Sequence, residues 1–163
     1  MKTIKRRRKD HKTDYLKRIK LLKSGKPRIV FRRTNKYFLV QYVISKQAQD
    51  KILLGLNSKQ LLKYGWPKEA EGSLKSITAS YLTGFLTGKR IISKKLDSPI
   101  IDFGMIRAIH KAKPYAFLKG LIDSGIKINC KEEAFPTEER IQGGHLKNKI
   151  KFKEIKSKIE NEK

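Results

Sequence analysis

The sequence predicts an α/β fold: a layered sandwich of a mixed β-sheet and packed helices, extended by a basic N-terminal arm and a C-terminal extension. Runs of strand length come first and then alternate with segments of helical period, which is the order of an α/β domain. The positive charge is concentrated near the N-terminus, where residues 1–36 contain 16 basic and 2 acidic residues. We expect an arm with a short helix over 1–26, an α/β domain over 27–128, and an extension with a basic tail over 129–163.

The arm is the first place to look for phosphate contacts, because it contributes more than half of the net charge. Between Lys2 and Lys12 its one large apolar residue is Ile4, so we expect it to be disordered until a partner neutralises it. A helix should begin at Asp14, whose carboxylate suits an N-cap, and end at Gly25. Its apolar residues recur at helical spacing: Leu16, Ile19 and Leu22.

Three strands are predicted next. Residues 28–33 are typical of a strand, and residues 37–44 of a second, fully buried one. The connection between them, residues 34–36, has the length of a hairpin turn, and residues 51–56 give a third short strand. A hairpin meander is the simplest topology for these segments.

Two helices and another strand complete the domain. The helices are predicted over residues 75–92 and from Pro114 to Gly125. A buried strand lies between them over residues 99–103. Gly84 and Gly88 stand four apart in the first helix, and we expect them to let it pack close to the sheet.

The C-terminal extension is predicted to be loop-like beyond Ile128. It holds an acidic patch of four residues, Glu132, Glu133, Glu138 and Glu139, followed by the segment Gly143-Gly144-His145. From Lys147 the tail alternates basic and apolar residues at nearly helical spacing. We expect it to fold only on a surface of RNA or protein.

Charge and composition limit the classes of function. The net charge is +25 and the isoelectric point about 10.2, which indicates a polyanionic partner: RNA, DNA or an anionic membrane. The chain has no apolar run long enough to span a bilayer and no secretory signal. Its one cysteine, Cys130, suits a reducing compartment. We expect a cytoplasmic protein that is not inserted in a membrane.

Catalytic and metal-binding alternatives find little support in the residues. A two-metal nuclease needs carboxylates on adjacent strands, whereas the first strand has none and the aspartates are scattered: Asp50, Asp97, Asp102 and Asp123. Residues 84–90 lack the spacing of a phosphate loop. His11, His110 and His145 lie far apart without partner cysteines. We therefore predict no enzyme activity, no metal, no cofactor and no small-molecule substrate.

A second basic group follows the predicted fourth strand. Residues 104–113 form a basic loop that leads into a helix N-terminus, where free N–H groups suit a phosphate. Its candidate contacts are Arg107, His110, Lys111 and Lys113. Tyr15, Tyr37 and Tyr115 are candidates for stacking on bases, or else belong to the core.

Several ordered motifs resemble one known family over nearly the whole chain. They are RRRKDHKTDYLKRIKLLKSGKPRIVFRRTNKY, KYGW, ASYLTGFLTGKR, DFGMIRAIHKAKPYAFLKGLIDSGIKI and FPTEERIQGGH. Together they resemble the archaeal and eukaryotic branch of the universal ribosomal protein L-eighteen family. The resemblance implies a mixed α/β sandwich that binds 5S ribosomal RNA and helps to fix it in the central protuberance of the large subunit. Large-subunit RNA and neighbouring ribosomal proteins are the other implied partners.

The resemblance also implies which residues contact RNA. In the arm they are Lys5, Arg6, Arg7, Arg8, Lys9, Lys12, Thr13, Tyr15 and Arg18. In the first strand and hairpin they are Lys26, Arg28, Arg32, Arg33, Thr34, Asn35 and Lys36. The later loop adds Gly104, Arg107, His110 and Lys113. Residues 72–77 and Gly144 depart from the family pattern, and we expect no contact there. A general nucleic-acid binder of chromatin or RNA-chaperone type is the alternative.

Overall fold

A four-stranded mixed sheet forms the centre of the molecule. The computed structural model describes residues 3–47, 49–107, 109–144 and 150–162; Lys2, His145 and Lys147 of the predictions above lie outside them. The strands are β1 Arg28–Arg33, β2 Phe38–Lys46, β3 Gln49–Asn57 and β4 Ile100–Asp102. Their order is β3-β2-β1-β4, with β4 parallel to β1 and the other pairs antiparallel. The predicted α/β fold with a mixed sheet is confirmed.

Helices lie before, between and after the strands. They are α1 Arg6–Lys9, α2 Tyr15–Lys23, α3 Ile77–Ser93, α4 Lys113–Asp123, α5 Glu138–Gln142 and α6 Phe152–Glu160. Short 3-10 turns cover Ser58–Tyr64, Lys68–Ser73 and Glu132–Ala134. The extension is thus more helical than predicted. Two carboxylates in the first turn of α5 favour its N-terminus, and Gly143 ends it in the left-handed conformation.

One face of the sheet carries the core. Phe31 of β1 packs on Phe38 with ring centroids 5.1 Å apart, and on Phe117 of α4 at 4.6 Å. On the other face, Leu39 is exposed and Gln41 half-buried. The prediction that β2 is fully buried is wrong, because α3 and α4 cover only the face that carries Phe31 and Phe38.

The two long helices pack against each other at unusually short range. A methyl group on Gly84 would collide with the backbone carbonyl of Phe117, and one on Gly120 with that of Tyr81. Gly88 similarly faces the Ser124 hydroxyl. The glycines of α3 therefore allow close packing of α4. From the sequence, they were predicted to allow close packing of the sheet.

The C-terminal helix α6 packs on the chain's own domain. Ile155 and Ile159 are fully buried in the common core. The Arg90 guanidinium donates to the Glu162 carboxylate at 2.8 Å and to the Tyr64 hydroxyl at 3.1 Å. Burial alone would raise the pKa of Glu162, but its hydrogen bonding to Arg90 and Tyr64 outweighs burial and lowers it. The prediction that the tail needs an RNA or protein surface to fold is therefore wrong.

Candidate nucleic-acid interface

The arm presents its cations to solvent in a defined conformation. Residues 6–9 form one helical turn with no buried side chain, where the sequence predicted disorder. The Arg7 carbonyl accepts from the backbone N–H groups of Lys12 and Thr13, and Arg7 Nε donates to the Thr13 hydroxyl at 2.9 Å. These local bonds order the turn before α2, and they leave the positive charge of the arm in place.

Helix α2 begins as predicted and lies over the sheet face opposite the core. The Asp14 carboxylate caps it by accepting from the Lys17 backbone N–H at 3.1 Å. Lys17 Nζ donates to the Gly104 carbonyl at 3.2 Å, and Arg18 lies 3.6 Å from the Asp50 carboxylate. Helix α2 buries no side chain completely, so these polar contacts add to the partial burial of Leu21 and Leu22 in holding it on the sheet.

Arg28 lies beneath α2, where its guanidinium forms intramolecular hydrogen bonds and ion pairs. Only 3% of the residue is exposed, and its Nη2 donates to the Ser45 hydroxyl at 2.8 Å and to Asp50 at 2.9 Å. Its Nη1 lies 3.5 Å from Asp102. Its predicted role as an RNA contact is corrected, since a buried, paired guanidinium cannot reach a phosphate. The sequence also treated Asp50 and Asp102 as scattered, whereas they meet around this arginine.

Arg32 is held by the same aspartate but stays accessible. Its Nη2 donates to the Asp102 carboxylate at 3.1 Å and its Nη1 to the Asp102 carbonyl at 2.8 Å, while 42% of the side chain is exposed. Gly104 has φ +61, and a Cβ there would approach the Arg32 guanidinium carbon to 2.8 Å. Gly104 therefore supports the position of Arg32 by leaving room for it.

Two adjoining clefts gather most of the predicted residues. The first cleft, of about 240 Å³ between α2 and the sheet, is lined by Arg7, Lys12, Thr13, Arg18, Arg28, Arg32 and Gly104 among others. The second cleft, of about 840 Å³, lies between the end of β1, the loop after β4 and the start of α4. It is lined by Lys12, Arg32, Arg33, Arg107, His110, Lys111 and Lys113 among others. Since Lys12 and Arg32 border both clefts, arm, strand and loop form one continuous basic surface.

Some predicted residues lie outside these clefts. Lys5, Arg6, Arg8 and Lys9 are exposed on the arm, and Lys26 is exposed before β1. Thr34 closes the β1–β2 hairpin, where its hydroxyl donates to the Tyr37 carbonyl at 2.6 Å. Asn35 and Lys36 line a third cleft together with Lys59 and Lys75. The structure therefore does not gather the hairpin with the arm.

The structure also adds cations that the sequence reasoning missed. Lys75 borders the third cleft although residues 72–77 were predicted to make no contact. Arg140 of α5 borders the second cleft. Arg140 follows the acidic pair Glu138 and Glu139 in the sequence, so no local signal separated it from the acidic patch.

The aromatic candidates are half-buried and lie beside polar groups. Lys5 Nζ stands 4.6 Å from the centre of the Tyr15 ring, and Lys59 Nζ 5.2 Å from that of Tyr37. The rings of His110 and Tyr115 meet edge to face at 5.3 Å. Each ring is thus partly accessible, as a ring that stacks on a base must be.

The described residues offer no constellation for catalysis by a metal ion. Over the parts of the chain placed by the structure, no three His, Cys, Asp or Glu side chains come together as a metal site would require. None of the described helices combines the length and apolar character needed to cross a bilayer. What the structure presents is a cationic surface.

Comparisons with known proteins agree with this description. A family model described as "Ribosomal large subunit proteins 60S L5, and 50S L18" matches residues 1–99. The chain is 43% identical over 141 residues to the "Large ribosomal subunit protein uL18" of Korarchaeum cryptofilum, covering 86% of this chain and 70% of that protein. It is 40% identical to the protein of that name from Methanoregula boonei, with 86% and 79% covered. For Methanothermobacter thermautotrophicus the identity is 38%, with 86% and 71% covered.

The fold, the basic surface and the matches to known families together identify the chain as a structural protein of the large ribosomal subunit. The chain belongs to the uL18 family, in its archaeal branch. This confirms the family predicted from the ordered motifs. Because members are structural components of a cytoplasmic particle, membership also confirms the predictions of a non-enzymatic and cytoplasmic ribosomal protein.

Proposed function

We propose that the chain binds 5S ribosomal RNA and anchors it in the central protuberance of the large subunit, beside large-subunit RNA and neighbouring ribosomal proteins. One observation supports this most directly: cations of the arm, of β1 and of the loop after β4 border two adjoining clefts. A folded RNA presents closely spaced phosphates that such a surface can neutralise. The choice of 5S RNA among RNAs rests on the resemblance of the ordered motifs.

The proposed contacts fall into two kinds. Exposed cations of the arm can follow the RNA backbone wherever it runs, while Arg32, held by Asp102, sits at a fixed place. The proposed set keeps the predicted residues except Arg28. Residues 1–26 are the proposed arm and residues 27–128 the proposed RNA-binding domain, and 129–163 the proposed extension. The exposed charges of the arm supply affinity, and the groups held in place supply register.

A general nucleic-acid binder is the second candidate, favoured by the exposed run Arg6-Arg7-Arg8-Lys9. Competition separates the two functions. We expect a tenfold molar excess of unrelated duplex DNA to leave most labelled 5S RNA bound to the full chain in a filter-binding assay. Phosphate attraction alone carries no information about sequence or shape. Displacement of half the 5S RNA by an equal concentration of that DNA would support the general binder instead.

The contribution of the arm can be measured through its salt dependence. Replacing Arg6, Arg7 and Arg8 with alanine should weaken 5S RNA binding and reduce the slope of log affinity against log salt. The reduction should reach about 0.7 to 0.9 for each phosphate that the variant no longer neutralises. The quantity to measure is the dissociation constant of the complex over a series of salt concentrations.

The matched control removes the same charge elsewhere. Lys94, Lys95 and Lys127 are exposed and border neither the first nor the second cleft. Their joint replacement with alanine should change the slope much less than the arm variant does. Equal slopes for the two triple variants would mean that binding depends on the net charge of the protein and not on the position of the arm cations.

A further inference from the structure

The second cleft combines an apolar wall with a cationic rim. Met105 and Ile109 line it while 53% and 57% exposed, respectively. Phe103 stands between this wall and the core, with its ring edge-on to Phe31 at 5.8 Å and 88°. Large apolar side chains left open at the mouth of a cleft are costly in water and mark a binding surface. The volume, about 840 Å³, falls in the range of roughly 300 to 1,000 Å³ found for small-ligand pockets.

The rim carries positive charge with no acidic counterpart among its described lining residues. Every charged residue that borders the cleft is Lys or Arg. Burial lowers the pKa of Lys113, and the neighbouring cations Arg33 and Lys75 lower it further. Cations gathered this closely repel one another, so an anion between them would be stabilising.

We propose that this cleft receives a single unstacked nucleotide of the bound RNA, with its base against Met105 and Ile109 and its phosphate between Arg33 and Lys113. This inference rests on the proposed function and specifies how that surface holds RNA. A nucleotide is flat and apolar on its ring faces and carries an anion one sugar away, which matches a wall beside a cationic rim. The cleft continues through Lys12 into the first cleft, so the flanking backbone has a basic path to follow.

Proteins commonly hold splayed-out bases of RNA loops in this manner, by stacking and by contacts to the base edges. Here His110 adds a ring at the rim, positioned edge-on against Tyr115. Helix α4 points its N-terminus towards the same region, and its N-cap residue Ala112 supplies no side-chain hydrogen bond. The partial positive charge of that terminus adds to the attraction of Arg33 and Lys113 for a phosphate.

Two pairs of substitutions test the inference in the full chain bound to 5S RNA. Replacing Met105 and Ile109 with alanine should weaken binding about fivefold or more. The salt slope should not change, because the variant loses contacts to a base and loses none to a phosphate. Dimethyl sulfate probing of the RNA should show one base that wild-type protein shields and this variant leaves reactive. Replacing Arg33 and Lys113 with alanine should instead reduce the slope by up to about 0.7 to 0.9, because the variant no longer neutralises the one phosphate placed between them.

A matched control uses the exposed apolar residue Ile92 of α3, which is 48% exposed, lies outside the arm and borders neither cleft. Its replacement with alanine should leave binding and base reactivity as in the wild type. Equal weakening by the Ile92 variant, or wild-type binding and reactivity in both cleft variants, would overturn the inference. The latter result alongside a wild-type preference for 5S RNA would leave the proposed function intact and would remove only the nucleotide from this cleft. Failure of the wild type to prefer 5S RNA would instead remove the proposed function and this inference together.

Discussion

Replacing Asp102 with alanine is expected to lower the free energy of unfolding by about 3 to 5 kcal/mol, because a buried ion pair would lose one partner. Asp102 accepts from Arg32 and from the Gly104 backbone N–H at 2.7 Å, and it lies 3.5 Å from Arg28. Without it, Arg28 would stay buried with only the exposed Asp50 to balance its charge. Urea denaturation followed by circular dichroism measures the decrease.

Asp97 provides the matched control for that substitution. It is exposed, and its contact with Tyr42 uses the backbone carbonyl, which accepts from the tyrosine hydroxyl at 2.9 Å. Alanine at this position should change the free energy of unfolding by no more than about 0.5 kcal/mol. If the Asp102 variant were also destabilised by less than about 1 kcal/mol, water would be hydrating Arg28 in place of the lost carboxylate, and the pairing of Asp102 with Arg28 and Arg32 would contribute little to stability.

Replacing Gly120 with alanine is expected to destabilise the chain by about 1 to 3 kcal/mol or more, as overpacked sites do. The added methyl group would collide with the Tyr81 carbonyl and stand 2.8 Å from the Phe85 backbone nitrogen. Helix propensity alone would give the opposite sign, since alanine is better than glycine in a helix by about 1 kcal/mol. The sign of the change in thermal or urea unfolding therefore decides whether α3 and α4 are in backbone contact.

Gly72 is the matched control, because a methyl group there meets nothing within 4 Å. Its replacement with alanine should leave stability unchanged or raise it by about 0.4 to 1 kcal/mol through the unfolded state. A Gly120 variant as stable as the Gly72 variant would mean that the two helices can move apart at no cost in stability.

The sequence predicted those features that local chemistry determines. Asp14 marks the start of α2 because a carboxylate at that place satisfies a free backbone N–H. Pro114 lies at the start of α4, where its missing N–H costs nothing. The strand β1 was found at residues 28–33 with its observed bounds. Ordered motifs supplied the family, which no single element could have indicated.

Features that depend on packing between segments distant in the chain could not be predicted from the sequence pattern. The buried stripe of α6, Ile155 and Ile159, has the same spacing whether it binds RNA or the chain's own core. Gly84 and Gly88 show that something comes close, but not that it is α4. Arg28 looks like any other cation of the arm and hairpin until Asp50 and Asp102 are seen beside it. A pattern of charges predicts a charged surface, whereas burial decides which charges belong to it.

The bonds that Lys17 and Arg32 make to the end of β4 and the loop that follows it have a consequence for the entropy of association. Lys17 is tied to the Gly104 carbonyl and Arg32 to Asp102, so both side chains lose rotamer freedom when the chain folds. Groups already ordered give up little more when they meet a ligand. A variant that loosens this strand end should therefore bind RNA more weakly at temperatures where it is still fully folded.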